Sequence, residues 1–593
     1  MSGHEHSQDL EALAATLGIT RSYHDGTGTW RRASDEALLA VVRALGTPVE
    51  RIEDCAGALR EAREREAPPR SGAPATEVRR LPGAPRSWGL FAPLYGIRRD
   101  DEARELATYG DLARVGRWMT AGRTQPSPCG RDAALLGTLP LLACFFEEPF
   151  EPSPYSPVSR AFWSELYVDP REAAEHESAN LPPAAAEPLL RGRRVDFRAA
   201  MRGRRAAIEA LLVALDARGG QRRDAFEAAL AEDDELVRYA SFRAAVERHG
   251  TTWQGWPGQA RAGTLRPGVD FDGGAFRYHA YAQWLAREQV SAAAGSSPAG
   301  LYLDLPLGSH GGGYDTWRHA DEFVAGVSVG APPDAVFAGG QDWAFPPLHP
   351  RDSSARGHRA LTAALRHHFA HAAVLRIDHV MGFTRLFWIP DGFDARDGVY
   401  VDYPAAELWD LVAREAAAAC GGRGAAVVGE DLGTVPDEVR REMHERGALR
   451  MHVVPFEVRD DGPSPLVPPP PASLACLGTH DMEPFAAWWE SCPGYRRDRV
   501  AAFLGCDATA GAVLESLACW LAASDANLTC LNLEDFWLER ERQNLPGTPS
   551  GDTNWQRSFA TPFEAWSRDP SVLRLLDLLR DGEERAAGEA AAR

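Results

Sequence analysis

Val374-Leu375-Arg376-Ile377-Asp378-His379-Val380-Met381-Gly382-Phe383, running on into Thr384-Arg385-Leu386-Phe387-Trp388-Ile389-Pro390, is the stretch on which the reading of this chain turns. A short apolar run ends in an Arg-x-Asp pair and is followed by Gly382 and aromatics. This predicts a buried strand that delivers a carboxylate to a sheet edge, the place where barrel enzymes keep their chemistry. Arg376 and Asp378 are two residues apart, so on a strand both side chains share one face. A guanidinium held there is expected to depress the pKa of Asp378 and keep it ionised, as a candidate nucleophile. The same two residues could instead form an ion pair that closes a core.

Outward from this stretch, apolar runs and helical patterns alternate. Upstream, Ser87 to Tyr95 reads as a first strand, Gly110 to Met119 as a helix and Ala133 to Pro140 as a second strand. Leu301 to Pro306 is another strand, carrying Asp304, and Leu361 to Ala373 is the helix leading into the central one. Downstream, Glu407 to Ala419 and Pro436 to Arg446 read as helices, and Ala425 to Gly429, Leu449 to Val454 and Leu474 to Gly478 as strands. Such alternation predicts an α/β fold, a β/α barrel over residues 81–575. Glu172 to Gly250 is rich in Ala, Arg and Glu at helical spacing, and a helical insertion is expected over about 170–290. Residues 1–80 read as a small helical N-terminal extension and linker, in which Ser34 caps a helix with an apolar stripe at Leu38, Val41, Val42 and Leu45 that Gly46 stops. Residues 576–593 are expected to be a frayed tail.

Composition removes whole classes of function. The net charge is -20 and no basic run stands out, which argues against a nucleic-acid partner. There is no lysine, so Schiff-base chemistry and a Walker-type phosphate loop are excluded. Gly308 to Gly313 lacks the spacing of a dinucleotide loop. The nine cysteines are scattered with no Cys-x-x-Cys pair, as expected of free thiols in a reducing compartment. The start shows no basic region followed by an apolar one, and no apolar run is long enough for a bilayer. A cytoplasmic protein with no membrane partner is therefore expected.

Three predicted strand ends carry acidic residues in series, Asp378, Glu430 and Asp481, about fifty residues apart, so that all three face one barrel rim. Chemistry at a sugar acetal needs one carboxylate to attack the anomeric carbon and one carboxylic acid to protonate the leaving oxygen. With retention, the two carboxyl groups stand about 5–5.5 Å apart, a geometry expected of Asp378 and Glu430. Burial and neighbouring negative charge should raise the pKa of Glu430 and keep it protonated. Asp481 and His480 would bind the donor sugar and stabilise an oxocarbenium-like transition state.

Arg376-Ile377-Asp378-His379, Gly429-Glu430-Asp431-Leu432-Gly433 and Gly478-Thr479-His480-Asp481 resemble the catalytic motifs of the amylomaltases, the 4-α-glucanotransferases of glycoside hydrolase family 77. Ser153 to Pro157, Gly340 to Trp343 with Pro346-Pro347, and Asn544 to Pro549 are also similar to family segments, so the likeness spans about Ser87 to Phe559. It implies Asp378 as nucleophile, Glu430 as general acid/base and Asp481 as transition-state stabiliser. It also implies Arg376, His480, Asp304, Tyr155, Trp343 and Pro346 around the substrate. The resemblance implies a (β/α)8 TIM barrel with helical subdomains and no C-terminal β-sandwich, and the chemistry would need no cofactor and no metal. The partners would be maltooligosaccharides, α-1,4-glucans and glucose. Four positions depart from the family pattern: Met482 where Asn is common, Ser164 in a stretch lacking the usual Asn-Pro, Leu303 and Ala344 where Gly is common.

Two other readings use the same residues. An α-glucan hydrolase would differ only in letting water take the second step, and Tyr155 with the loop from Trp343 to Pro347 is the surface expected to favour a sugar acceptor. A glycan-binding protein without turnover would have no use for a general acid. His367, His368 and His371 on one predicted helix read as packing histidines, since no third ligand accompanies the i, i+4 pair.

Overall fold

A computed structural model describes residues 3–65, 78–84, 86–99, 105–120, 134–148, 150–183, 189–297, 299–335, 337–433, 435–548 and 554–592. Eight strands, all parallel to their neighbours, form one sheet in chain order. They are β1 (Ser87–Phe91), β2 (Ala134–Gly137), β3 (Leu301–Leu305), β4 (Ala372–Ile377), β5 (Ala426–Gly429), β6 (Arg450–Val453), β7 (Ser473–Cys476) and β8 (Leu528–Asn532). β8 pairs with β1, and the remaining gap is closed where Val428 bridges Leu449. There the amides of Gly429 and Leu449 donate to the carbonyls of Leu449 and Val427, each at 2.9 Å. The sheet is the expected (β/α)8 barrel.

Alternation along each strand decides what fills the barrel and what faces its helices. Tyr302, Val374, Val428, Met451, Leu474, Cys476, Leu528 and Cys530 form the inner cluster. Their neighbours Leu303, Leu305, Leu375, Ile377, Val427, Ala475 and Leu531 pack outward against helices such as Tyr109–Thr120, Arg359–Phe369 and Ala405–Gly422. Arg376 and Asp304 belong to the inward set by the same count. The β6–β7 connection, which includes the proline run 463–471, holds a short 3-10 turn and no α-helix among the described residues; fixed proline φ angles and missing N–H donors account for that.

The inserted segment holds helices Phe197–Arg218, Gly220–Glu232 and Asp234–His249, then Gly273–Ser296, which buries Tyr278, Tyr281 and Leu285. Ser34 caps helix Asp35–Ala44 by accepting from the amide of Ala37. The N-terminal extension is not wholly helical, however. Ile19–Thr20 pairs with Tyr400 and Val401, and Ser22–His24 with Trp30–Arg32. The first of these joins the edge of a five-stranded antiparallel sheet of Ile19–Thr20, Val399–Asp402, Arg385–Pro390, Val327–Ala331 and Gln341–Asp342. The central stretch of the sequence therefore serves two sheets: Val374 to Ile377 stays in the barrel, whereas Arg385 to Pro390 leaves it. Strands of two or three residues are too short to show a period, and tertiary burial forms them: Ile19 is buried, and Tyr23 meets Phe387 and Tyr400 edge-on.

Most of the predicted linker, residues 66–77, lies outside the described residues. The segment expected to fray continues a helix, Pro570–Ala592, because its Ala, Glu and Arg are strong helix formers and Leu575, Leu576 and Leu579 anchor the start. No helix among the described residues is long and apolar enough to cross a membrane.

Candidate active site

The parallel register sets Arg376 on β4 directly opposite Asp304 on β3. One guanidinium nitrogen of Arg376, Nη1, lies 2.7 and 2.8 Å from the two Asp304 oxygens and 3.1 Å from Asp378 Oδ1. Arg376 is only 5% exposed, and a lone charge at that depth would cost several kcal/mol, so the paired carboxylates keep it there. The Tyr155 hydroxyl donates to Asp304 Oδ2 at 2.6 Å; burial and the Asp304 charge hold that phenol neutral. Arg376 pulls Asp378 downward as expected, but the expected net depression is corrected. Burial pushes the Asp378 carboxyl above its ordinary value, Arg376 pulls against this, and Asp304 and Asp481 add to the rise. Desolvation outweighs the guanidinium even though Nη1 stands 3.1 Å from the Asp378 carboxyl.

Glu430 follows β5 as Asp378 follows β4, and the two strands are in register from Val374 with Ala426 to Ile377 with Gly429. Past the ladder, the amide of Glu430 donates to the Ile377 carbonyl at 3.0 Å, so the two acidic residues stand on adjacent strand ends. The amides of His379 and Leu432 donate to Glu430 Oε2 and Oε1 at 3.0 and 2.8 Å and hold its carboxyl in place. His379 reaches this position with φ 48, a left-handed conformation that costs a side-chain-bearing residue about 1 kcal/mol. Burial pushes Glu430 up to about 7, opposed by Arg376 and the two amides and helped by the Asp378 charge.

Asp481 comes from the loop after β7. Burial would raise its pKa, but His480 at 3.2 Å and the Asn544 amide nitrogen at 2.6 Å bring it down to about 2. His480 moves upward in turn, burial opposing and the Asp481 charge prevailing. Its ring stacks on Tyr155 at 5.1 Å, and Trp555 lies 5.5 Å from both. One pocket is lined by Phe91, Tyr302, Asp304, Arg376, Thr479 and His480.

The structure thus brings Asp304, Arg376, Asp378, Glu430, His480, Asp481 and Tyr155 together. Trp343 stands at the margin, edge-on to His379 at 5.2 Å. Pro346 lines a largely apolar wall that Asp378 also touches. Ala344, the departure from glycine, sits at φ 57, which explains why glycine suits the position. Sequence reasoning missed Trp555, the role of Asn544 and the two backbone donors to Glu430. The Asn-Leu-Pro-Gly turn at Asn544 was the available signal for the second; contacts of backbone amides leave no mark in residue types.

His367, His368 and His371 surround the Trp163 indole at 4.0, 5.9 and 5.7 Å, His368 buried and the other two half-buried, with their pKa values lowered by desolvation. Among the described residues no group of His, Cys, Asp or Glu has the geometry of a metal site.

A family model described as 4-alpha-glucanotransferase matches residues 125–562. A 4-alpha-glucanotransferase of Mycobacterium tuberculosis (strain ATCC 25618 / H37Rv) is 30% identical over 573 residues, covering 85% of this chain and 75% of that protein. One from Haemophilus influenzae is 29% identical over 435 residues, covering 68% of this chain and 60% of its own. Among solved structures, the amylomaltase from Corynebacterium glutamicum superimposes with a TM-score of 0.75 at 21% identity, covering 96% of this chain and 99% of that one. The amylomaltase from Streptococcus agalactiae in complex with acarbose gives 0.68 at 18% identity, covering 84% and 99%. At those identities the two structures speak for the fold.

Proposed function

The chain belongs to the 4-alpha-glucanotransferases of glycoside hydrolase family 77, and on that premise we propose that it moves α-1,4-glucan segments between maltooligosaccharides, or onto glucose, with retention at the anomeric carbon. Asp378 attacks that carbon while Glu430 gives its proton to the leaving glycosidic oxygen. In the second step the C1–O bond to Asp378 breaks as an acceptor hydroxyl attacks, and Glu430 takes the acceptor's proton. Asp481, kept ionised by His480 and Asn544, faces the positive charge that develops on the sugar. Asp304 and Arg376 hold the donor sugar, and Tyr155, bonded to Asp304, borders the acceptor side.

The observation that carries this reading is the separation of the acids on one rim: Glu430 is pushed up to about 7 while Asp481 is brought down to about 2. That difference supports Glu430 as the acid and Asp481 as the anion. The deciding experiment is product analysis on maltotriose. Longer maltooligosaccharides appearing together with glucose support transfer, whereas glucose and maltose alone would move the assignment to a hydrolase.

The same shifts set the pH dependence. Glu430 must be protonated, so kcat/KM is expected to fall as pH rises through about 7. Asp378 must be ionised, and its raised pKa moves the acid limb upward from where an ordinary Asp would put it. Both limbs belong to the coupled pair. Initial rates on maltotriose across pH test this; a flat profile through neutrality would remove Glu430 as the acid.

Tyr155→Ala removes a charge-assisted hydrogen bond to Asp304 and the stacking partner of His480. The ratio of transfer to hydrolysis is expected to drop about tenfold, measured as longer chains formed against new reducing ends. An unchanged ratio would exclude Tyr155 from the acceptor surface.

A further inference from the structure

We propose that the N-terminal hairpin Ser22–Arg32 is a prop for a strap over the cleft, and that it thereby sets how the glycosyl intermediate partitions between sugar acceptors and water; this rests on the transferase reading above. The strap is the connection between Val327–Ala331 and Gln341–Asp342, two strands of the small antiparallel sheet. At its tip the amide of Phe337 donates to Asp334 Oδ1 at 2.6 Å, and the amides of Asp334 and Gly340 donate back to the Phe337 carbonyl at 3.1 and 2.9 Å. The Phe337 ring lies against Gly547 so closely that a Cβ there would come within 2.4 Å of it. Gly547 belongs to the turn that begins at Asn544, whose amide holds Asp481. The strap therefore reaches from the small sheet to the segment that orients the third carboxylate. Its descending leg carries Trp343 to within 5.2 Å of the ring of His379, the neighbour of Asp378.

The hairpin meets the near end of this strap. The amide of Gly26 donates to the Pro333 carbonyl at 2.9 Å, and a Cβ on Gly26 would lie 2.6 Å from Asp334 Cβ and 3.1 Å from its Cα. Nothing larger than glycine fits without moving the strap backbone. The hairpin tip is itself fixed: the Asp25 side chain is fully buried and accepts from the amides of Thr27 and Thr29 and from Arg31. Behind it, Tyr23 packs on Phe387 and Tyr400 and Ile19 pairs with Val401, which ties the extension to the sheet that launches the strap. A rigid tip on a rigid sheet holds Pro333 and Asp334, and through them Phe337 over Gly547. Water gains on an acceptor sugar when such a cover loosens.

The test compares the full-length wild type with Gly26→Ala, Phe337→Ala, both together, and Trp30→Ala, each given maltotriose. Longer chains and new reducing ends are counted together. Gly26→Ala and Phe337→Ala are each expected to lower the transfer-to-hydrolysis ratio about 2- to 30-fold while total donor cleavage stays within about twofold. The double variant should be no worse than the stronger single one, because both act on one path. Trp30 is on the same hairpin but 59% exposed and away from the strap contact, so Trp30→Ala should leave the ratio unchanged. An unchanged ratio in folded Gly26→Ala would overturn the prop whatever Phe337→Ala does, as would a parallel fall of cleavage and transfer, or an equal effect of Trp30→Ala. If Gly26→Ala unfolds the hairpin, Asp25→Asn decides the matter, because it loosens the hairpin tip without adding an atom against the strap. A wild type that forms no longer chains would overturn the transferase reading instead, a result separable from an unchanged ratio in an active enzyme.

Discussion

Asp378→Asn is expected to lower transfer from maltotriose by about 10⁴–10⁶-fold, the loss seen when the attacking group of a covalent mechanism is removed. An amide has no charge to form the bond to the anomeric carbon, and no other described carboxylate replaces it: Asp304 is bound to Arg376, and Asp481 is held by His480 and Asn544. The fold should survive. Arg376 keeps both Asp304 oxygens, so its buried charge stays compensated, and the amide oxygen of the variant can still face the guanidinium. A stability cost of about 1 kcal/mol is expected from the weakened contact. Turnover, thermal unfolding and maltooligosaccharide binding should be measured on the same preparation. Retained turnover would remove Asp378 from the chemistry. Binding without turnover in both wild type and variant would instead favour a glycan-binding protein.

Glu430→Gln carries the second-largest expected effect, about 10²–10⁴-fold on maltotriose, because the leaving sugar then departs without a proton. The loss should depend on the leaving group. A maltooligosyl fluoride, whose fluoride needs little protonation, should recover most of the rate of the first step, whereas Asp378→Asn should gain nothing from it. The alkaline limb near 7 should vanish with the titrating group. Structure adds a cost: the amides of His379 and Leu432 each donate to one Glu430 oxygen, and glutamine offers a single acceptor, so one amide faces an NH₂ group. That conflict is worth about 1–3 kcal/mol and should lower the unfolding temperature. Equal losses on fluoride and maltotriose would argue against Glu430 as the acid.

Much of this was legible in the chain. The barrel follows from apolar runs of strand length separated by helical patterns, and the carboxylates stand just past those runs because a strand end is where a side chain can leave the core yet stay fixed. Arg376 and Asp378 could be placed on one face by counting two residues. The count could not say that the closed site would desolvate Asp378, nor that Asp304, 72 residues upstream, would add its charge there, and so the direction of the Asp378 shift was misread. The short strands Ile19–Thr20 and Ser22–His24 were invisible for a related reason: their pairing is determined by Val401 and by Tyr23 burying against Phe387, not by local preference.

By itself, then, the sequence determined the α/β barrel, its helical insertion, the family and the three carboxylates, since each rests on local periodicity or on residues close together in the chain. Only the tertiary structure decided which group compensates Arg376, that burial pushes Glu430 up to about 7, that Asn544 holds Asp481 and Trp555 joins Tyr155, and that the N-terminal hairpin touches the connection between Val327–Ala331 and Gln341–Asp342. The physical reason is common to all four. Charge, burial and steric contact act through space at a few ångströms, between residues tens to hundreds apart in the chain, and only the closed fold sets those distances.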